Sequence, residues 1–378
     1  MVNNPPQQTD ILIIGAGLAG LVSAIHLSRA GFSVTLVEKQ ELPRHKVCGE
    51  YISNEVLPYL KSLEIPLEPL HPVRINRFRL SAPSGQTVET ALNMGAFSVR
   101  RYTLDNHLAS LAKKCRVQFY TKTTIEQVDW DGTYFTARTS VGNSFRTRLV
   151  IGAYGKRSVL DRTLGRPFFR RKVDYVGIKT YFDVPDFSDN LVELHNFPGG
   201  YCGLSKVENG WVNAAYLTRA SALKKVKGVQ ELQDQVLSTN PHLKSMFRKP
   251  QMLPKPLVIS NVSFVPKHLT ANHVLMAGDA AGMIPPLAGN GMAMAIHSAK
   301  ILSETAIGFL EGTITRSQME QLYQKRWNQE FRSRLFWGRQ LQKYMGSRSM
   351  ELGVGALTLF PGILSLIVRQ THGRYLST

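Results

Sequence analysis

Three glycines near the start of the sequence have the spacing of a phosphate-binding turn. The segment GAGLAG follows the apolar run Asp10–Ile14, and an apolar stretch with helical spacing, Leu21–Ala30, comes after it. In a strand–turn–helix unit, Gly15 permits the tight turn, Gly17 lets the backbone approach a pyrophosphate, and Gly20 lets helix and strand pack closely. The free N–H groups at the start of the helix then bind the anion.

An acidic residue completes this pattern. Glu38 ends the β-rich run that begins at Ser33, roughly 20 residues after the last glycine, where an acid accepts the hydroxyls of a ribose. Because a helical crossover joins the two strands, we expect them to be parallel. The segment therefore predicts a dinucleotide cofactor, with Leu18, Ala19 and Lys39 as further contacts. It does not distinguish NAD from FAD.

A second glycine-rich segment favours a flavin. The short apolar strand Val274–Ala277 runs into Gly-Asp, and a proline-containing loop leads to Gly-Asn-Gly and a helix of small residues. The acid can hold ribitol hydroxyls. The positive end of the helix would face the N1–O2 edge of the isoalloxazine ring and stabilise the anionic reduced flavin. This segment predicts FAD and adds these contacts: Gly278, Asp279, Pro286, Gly289, Asn290 and Gly291.

Two further contacts come from the middle of the first half. Arg101 opens the predicted helix Tyr102–Lys113, from which its side chain could reach the cofactor phosphates or ribose. Val128, which ends the predicted strand Val117–Val128, is also assigned to the cofactor site.

The glycine turn with its acid, the helix start at Arg101 and the second glycine-rich segment follow one another in this order along the chain. Together they resemble the FAD superfamily of glutathione-reductase type, in the branch that holds aromatic hydroxylases, squalene epoxidases and geranylgeranyl reductases. The sequence is most similar to the geranylgeranyl reductase family, from about residue 8 to about residue 305. The segment Lys46-Val47-Cys48-Gly49 matches that family's basic-x-Cys-Gly segment, and Gly278-Asp279-Ala280-Ala281-Gly282 carries glycine where aromatic hydroxylases usually have histidine. The resemblance implies that Lys46, Cys48 and Gly49 contact the cofactor.

The resemblance implies redox chemistry on an apolar metabolite, such as a polyisoprenoid, polyketide or aromatic compound. In the leading hypothesis the reduced flavin delivers a hydride to a carbon–carbon double bond, or the reverse desaturation occurs. One alternative is a monooxygenase that hydroxylates or epoxidises its substrate through a flavin C4a-hydroperoxide. A flavin-binding protein without catalysis is another. Cys48 is a candidate proton donor or a small residue in a tight loop, and Tyr201 is a second candidate donor.

The electron donor is predicted to be external. The sequence has no second glycine-rich nucleotide fold and no CxxC pair, which points to NADPH or to a ferredoxin-like donor. Two motifs depart from the related families. Tyr154 replaces the aspartate of the hydroxylases' Asp-Gly motif, and Pro198–Ser205 keeps only Gly-Tyr of the reductases' aromatic-rich substrate motif.

The expected fold is α/β. A Rossmann-like FAD-binding domain of glutathione-reductase type is predicted from 8–165 together with 271–305. Between about Asp174 and Tyr216 apolar residues alternate with a period of two, which is typical of antiparallel strands. This pattern predicts an inserted antiparallel β-sheet substrate-binding domain over 166–270. A C-terminal helical region is predicted over 306–378.

The charge pattern indicates anionic partners. Lys and Arg number 46 against 27 Asp and Glu, for a net charge of +19. The basic, aromatic-rich stretch Lys325–Arg348 precedes the uncharged stretch Leu352–Val368. Together they indicate a helical cap with a solvated basic face, or a segment that docks on an anionic membrane surface. Nucleic-acid binding is not expected, because no recognised module is present.

The cysteine content and the first residues bear on the compartment. Three scattered cysteines are too few for a disulfide framework or a zinc site, and we predict no metal. The first ten residues lack a basic segment followed by an apolar one, so no signal peptide is predicted. We expect a cytoplasmic protein; one alternative is that it also binds the membrane peripherally.

Overall fold

Two eight-stranded sheets with helices packed around them form the part of the chain that the computed structural model describes, which is 5–170, 175–285 and 290–376. The strands are β1 (Gln7–Ile14), β2 (Val34–Val37), β3 (Tyr51–Ser53), β4 (Val73–Ser81), β5 (Thr87–Ser98), β6 (Gln118–Tyr120), β7 (Ile125–Trp130), β8 (Phe135–Thr139), β9 (Ser144–Gly152), β10 (Tyr175–Asp183), β11 (Leu191–Phe197), β12 (Gly200–Lys206), β13 (Trp211–Arg219), β14 (Leu257–Val262), β15 (Thr270–Ala271) and β16 (Val274–Met276). The helices are α1 (Leu18–Arg29), α2 (Leu57–Ser62), α3 (Arg101–Lys114), α4 (Leu160–Thr163), α5 (Ala220–Leu223), α6 (Val229–Gln235), α7 (Pro241–Met246), α8 (Gly291–Leu310), α9 (Arg316–Tyr344), α10 (Ser349–Leu359) and α11 (Pro361–Thr371).

The first sheet has the order β15-β16-β9-β1-β2-β6, and β7 and β8 extend it through β9. β1 runs parallel to both neighbours, with Ile11 opposite Val34 on one side and Leu149 on the other. Helices α1 and α8 pack against each other beside it. Ile11–Ile13 are fully buried, because this strand is covered on both faces. Strands buried in this way have continuous apolar sequences, as the run after Asp10 does. The predicted FAD-type α/β fold is confirmed.

The second sheet has the order β14-β10-β13-β12-β11-β4-β5-β3. Its pairings are antiparallel except for β11 and β4, which are parallel. β3, β4 and β5 come from the range 8–165, which the sequence assigned to the cofactor domain. The chain therefore crosses to the second sheet before α3 and returns, so 165/166 does not separate the sheets. The sequence over 73–99 alternates only weakly, which indicates extra strands or an inserted loop without assigning them to the second sheet.

The C-terminal region is helical, as predicted. A capping box at Thr315 and Gln318 starts α9, and Trp327 and Phe331 bury their rings in the core. In the described part of the chain, no helix by itself is long and apolar enough to cross a bilayer. The pair α10–α11, bent by 114° at its joint, meets the length and composition requirement only together.

Candidate active site

A cavity of about 1050 Å³ lies where the two sheets and the C-terminal helices meet. Its polar end is formed by the glycine turn after β1, the end of β2 and the start of α3. Its other end is apolar and is lined by β4, β11, β12, β14 and the inner faces of α10 and α11. The predicted cofactor residues on its wall are Gly15, Gly17, Leu18, Ala19, Glu38, Lys39, Lys46, Cys48, Gly49, Arg101, Gly278, Asp279 and Gly291.

The glycine turn leaves room for a ligand at one position and none at another. Gly15 has a φ of +109°, and a Cβ on Gly20 would lie 2.0 Å from the Gly15 carbonyl oxygen. Gly20 is therefore a packing residue, and it does not line the cavity. A Cβ on Gly17 would meet no described atom within 4 Å. Gly17 also caps α1, so the free N–H groups of the first helical turn face this space.

Glu38 is held in place at the end of β2. Its side chain is nearly buried, and its Oε2 accepts a hydrogen bond of 2.8 Å from the Ala16 N–H. Oε1 accepts from the Gln40 N–H at 3.1 Å and lies 3.5 Å from Arg44 Nη2. The carboxylate thus joins the strand end to the glycine turn, in the position where it can accept ribose hydroxyls.

Two cations share one buried carboxylate at the polar end. Asp105 accepts hydrogen bonds from Lys46 at 2.6 Å and from both Arg101 Nε and Nη2, at 2.7 and 2.8 Å. Desolvation, reinforced by the charge of Arg101, lowers the pKa of Lys46 to about 8 despite the attraction of Asp105. A fixed pair of cations beside the glycine turn is suited to a pyrophosphate.

The opposite wall comes from the second glycine-rich segment. Asp279 follows Gly278, whose φ is +59°, and its backbone carbonyl accepts a hydrogen bond of 2.7 Å from Lys267. Desolvation raises the pKa of the Asp279 carboxyl, against the pull of Lys267 and Arg101. Gly291 begins α8 at the cavity wall.

Asn290, another predicted contact of this segment, is not among the residues that line the cavity. Asn290 is the N-cap residue of α8, and its amide nitrogen donates to Glu55 Oε2 at 3.2 Å. Within the described residues, Asn290 Oδ1 has no hydrogen-bond partner. Pro286 and Gly289 lie outside the described residues.

Cys48 also lies on the cavity wall. Its Sγ accepts a hydrogen bond of 3.4 Å from the Glu50 N–H, and Arg101 interacts with the thiol. Burial raises the pKa of Cys48, so the thiol is protonated at neutral pH. A neutral thiol can donate a proton to a reacting atom in the cavity.

Behind Cys48 lies a buried ionic cluster that the sequence analysis missed. Lys179 Nζ lies 2.5 Å from Glu50 Oε1, and both side chains are completely buried. The Tyr181 hydroxyl donates to both carboxylate oxygens at 2.9 Å, and the Arg101 N–H donates to Oε1 at 2.7 Å. Glu50 itself lines the cavity. The signal was present, since a lysine stands in the middle of the apolar run VGIKTYFDV.

Two predicted site residues lie away from the cavity wall. Tyr201 does not line the cavity, because its end of β12 lies beneath α9, where its hydroxyl donates to Gln342 Oε1 at 2.9 Å. Val128 lies within β7 and also misses the wall. Thr123–Ile125 line the cavity instead. They follow Lys122, whose backbone is in the left-handed conformation and turns the chain between β6 and β7.

The residues at the polar end fit FAD: an open glycine turn, an oriented acid, a pair of cations and a second helix start. The family described as FAD binding domain matches residues 8–329 of the sequence. The chain belongs to this family. It binds FAD and is an FAD-dependent oxidoreductase.

Relatives and solved structures resemble the chain over most of its length. A digeranylgeranylglycerophospholipid reductase from Methanosarcina acetivorans is 26% identical over 337 residues, covering 85% of this chain and 80% of that protein. A geranylgeranyl bacteriochlorophyll reductase-like structure from Thermoplasma acidophilum has a TM-score of 0.74 at 19% identity, covering 90% of this chain and 88% of that one. A probable FAD-dependent monooxygenase from Pseudomonas aeruginosa has a TM-score of 0.76 at 18% identity, covering 93% and 100%. The two structures show a shared fold.

Proposed function

We propose that this FAD-dependent oxidoreductase reduces a carbon–carbon double bond of a small apolar substrate, such as a polyisoprenoid. The observation that carries the proposal is the two-part cavity, in which the polar cofactor cradle opens directly into an apolar chamber. Phe78, Leu80 and Leu194 of the second sheet and Leu357 and Leu364 of the C-terminal helices line that chamber. The name of the Methanosarcina relative supports the reaction class.

The side chains around the cavity have separate tasks in such a reaction. When bound, FAD supplies the hydride from its reduced ring. The apolar walls hold the substrate chain and exclude water. Cys48 holds a proton on Sγ at the cavity wall; when one carbon of the double bond receives the hydride, the adjacent carbon must take up a proton, which this thiol can donate.

Anaerobic half-reactions test the proposal. The FAD-loaded protein is reduced with dithionite in the absence of oxygen, and a polyprenyl compound with unsaturated units is then added. We expect the flavin spectrum to return to the oxidised form as a saturated product accumulates, while a fully saturated analogue leaves the flavin reduced. If the unsaturated compound also leaves the flavin reduced and yields no product, the reductase proposal fails.

A monooxygenase is the second candidate. The likeness in fold to a probable FAD-dependent monooxygenase favours it. Admitting oxygen to the reduced protein decides between the two. A long-lived absorption band distinct from oxidised and reduced flavin, together with an oxygenated product, would assign the monooxygenase reaction. Direct return of the flavin to the oxidised spectrum, without such a band, would favour the reductase reaction.

The proposal includes an external electron donor, NADPH or a ferredoxin-like protein, and a cytoplasmic location with peripheral membrane contact. Cys48, Cys115 and Cys202 are all free thiols, which suits a reducing compartment. Mixing the oxidised holoprotein with NADPH without oxygen tests the donor, since bleaching of the flavin band is the expected result. Comparing NADPH with reduced ferredoxin then identifies the donor.

A further inference from the structure

Exposed apolar side chains concentrate on the C-terminal helices. Of the fourteen large apolar side chains that are exposed in the described residues, eight lie between 336 and 366. Soluble proteins rarely expose a contiguous apolar patch of this kind without a binding role. We call the set the C-terminal apolar face; its members are Phe336, Trp337, Tyr344, Leu352, Leu359, Phe360, Ile363 and Leu366.

α10 and α11 are apolar on two sides. In α10, Leu352 and Leu359 stand seven residues apart on the outer side and are 81% and 76% exposed, while Val354 is buried. In α11, Leu366 points outward and Leu364 inward. A helix at a water-facing surface normally has a polar outer side. The apolar outer sides therefore indicate a non-aqueous environment.

The charge around this face is strongly positive. Residues 331–376 contain seven Lys or Arg and one acid. That acid, Glu351, accepts hydrogen bonds from the Ser84 N–H and hydroxyl at 2.8 and 2.6 Å. Arg334 is paired with Glu55 in the core at 3.2 Å. The cations that remain around the face are Arg332, Arg339, Lys343, Arg348, Arg369 and Arg374.

The same helices form the apolar end of the cavity. Tyr344 and Ile363 are 58% and 48% exposed, and both also line the cavity. Ala356 on α10 is likewise exposed and part of the wall. The cavity wall and the C-terminal apolar face are thus continuous at these residues.

We propose that the C-terminal apolar face docks on an anionic lipid bilayer and that an apolar substrate passes from the bilayer into the cavity beside Tyr344 and Ile363. The face supplies apolar side chains for insertion, and the surrounding cations bind lipid headgroups. The docking follows from the surface alone. The passage of substrate rests on the proposed function.

Flotation of the FAD-loaded protein with lipid vesicles tests the docking. We expect binding to vesicles of phosphatidylcholine mixed with phosphatidylglycerol, loss of binding at high salt, and weak binding to phosphatidylcholine alone. Replacing two cations, Arg339→Ser with Lys343→Ser, should weaken partitioning roughly ten- to thirty-fold. Replacing two inserted side chains, Leu359→Ser with Leu366→Ser, should also abolish most of the binding.

Matched substitutions elsewhere serve as controls. Arg248→Ser with Lys249→Ser removes two exposed cations, and Val141→Ser removes an exposed apolar side chain, both away from the face. We expect these variants to bind vesicles like the parent protein. Equal loss in the control and test variants, or no binding of the parent protein to anionic vesicles, would overturn the proposal. Self-association through the face in place of vesicle binding, seen by light scattering, would overturn it as well.

A fluorescence measurement locates the contact. Lipids brominated in the acyl chain should quench Trp337, which is 49% exposed on the face, and Trp337→Phe should remove that quenching. Substrate passage is tested by comparing flavin reoxidation with substrate in vesicles and in detergent. The Leu359→Ser, Leu366→Ser variant should be slow only with the vesicles. A variant equally fast in both would refute the passage and leave the docking result intact, and a parent protein inactive in both contradicts the proposed reaction.

Discussion

Single glycines in the first turn separate cofactor binding from folding. Gly17→Ala adds a methyl group to open space on the cavity wall, so we expect an unchanged melting temperature of the apoprotein and at least about tenfold weaker FAD binding. Gly20→Ala puts its Cβ 2.0 Å from the Gly15 carbonyl oxygen, so it should lower the melting temperature itself. Calorimetry measures the melting temperatures of the two variants, and a flavin fluorescence titration measures their FAD binding. Equal behaviour of the two variants would contradict the assignment.

The titration of Lys46 sets the pH dependence of FAD binding. Its pKa is lowered to about 8 in the protein without FAD, and an anionic pyrophosphate favours the protonated amine. FAD affinity should therefore fall as pH rises through about 8. Lys46→Met should bind FAD about tenfold more weakly at neutral pH and lose this dependence. FAD titrations at several pH values measure this affinity. Lys114→Met, which replaces an exposed lysine on α3, is the control.

The proton on Cys48 is predicted to limit the rate of substrate reduction. Its pKa is raised by burial, so the thiol stays protonated at neutral pH and the rate should fall only at alkaline pH. Cys48→Ala should retain FAD and lower the rate of flavin reoxidation by substrate about 100-fold or more. Stopped-flow spectroscopy with bound FAD quantified separately measures this. An unchanged rate would mean that Cys48 only fills the tight loop.

At this scale the sequence identified groups that a turn or a strand end presents. Spacing alone located the glycine turn and Glu38, because their roles depend on the backbone. Tyr201 lies away from the cavity wall, and nothing in its own strand shows that α9, more than a hundred residues later, covers it. Glu50 was missed for the same reason: its partners Lys179 and Tyr181 come from another strand of the same sheet.

At the scale of elements, the Glu50–Lys179 ion pair joins the loop before β3 to β10. Lys179→Met leaves a buried carboxylate without its cation and should cost about 3–5 kcal/mol of unfolding free energy. The double variant with Glu50→Gln should recover most of this, because Tyr181 can still donate to the amide oxygen. Urea denaturation measures the free energies.

An exposed pair supplies the comparison. Arg138 lies 2.6 Å from Asp129, and both side chains are about half exposed. Arg138→Met should cost less than about 1 kcal/mol. A loss for Lys179→Met no larger than this would show that the buried pair is not a structural link.

Strongly patterned elements were predicted well. The βαβ unit, the helix that became α3 and the helical C-terminal region all match the structure. The membership of β4 and β5 in the second sheet could not be predicted, because pairing between distant strands leaves no trace in local periodicity. The parallel pairing of β11 with β4 is another such case.

At the scale of the whole molecule, one glycine anchors the C-terminal helices over the cavity. Gly346 has a φ of +69°, its N–H donates to Asn196 Oδ1 at 3.0 Å, and its carbonyl accepts from the Gly199 N–H at 2.9 Å. A Cβ there would lie 2.2 Å from the Gly200 nitrogen. Gly346→Ala should therefore loosen α10–α11, with FAD retained and apolar substrate bound at least about tenfold more weakly.

A second glycine provides the control for that change. Gly355 lies inside α10, and a Cβ there would make only an ordinary contact of 3.8 Å. Gly355→Ala should therefore leave the binding of FAD and of substrate unchanged, and it should leave the helix as stable or slightly more stable. Substrate binding to the reduced holoprotein, followed by the flavin spectrum, measures the effect. Unchanged substrate affinity in Gly346→Ala would show that these helices do not close the cavity.

The central position of β1 in the first sheet has a consequence for how the chain folds. β1 meets β2 early in the sequence, but its other neighbour arrives much later, as the contact between Asp10 and Thr147, 137 residues apart, shows. β16, which carries the second half of the FAD cradle, joins later still through β9. Closing such long loops costs chain entropy and slows folding. A dinucleotide that touches both halves acts as a cross-link between them, and at about 100 times its dissociation constant it adds about 2.7 kcal/mol to the folded state. We therefore expect a cell with a larger flavin supply to keep a larger share of this chain folded.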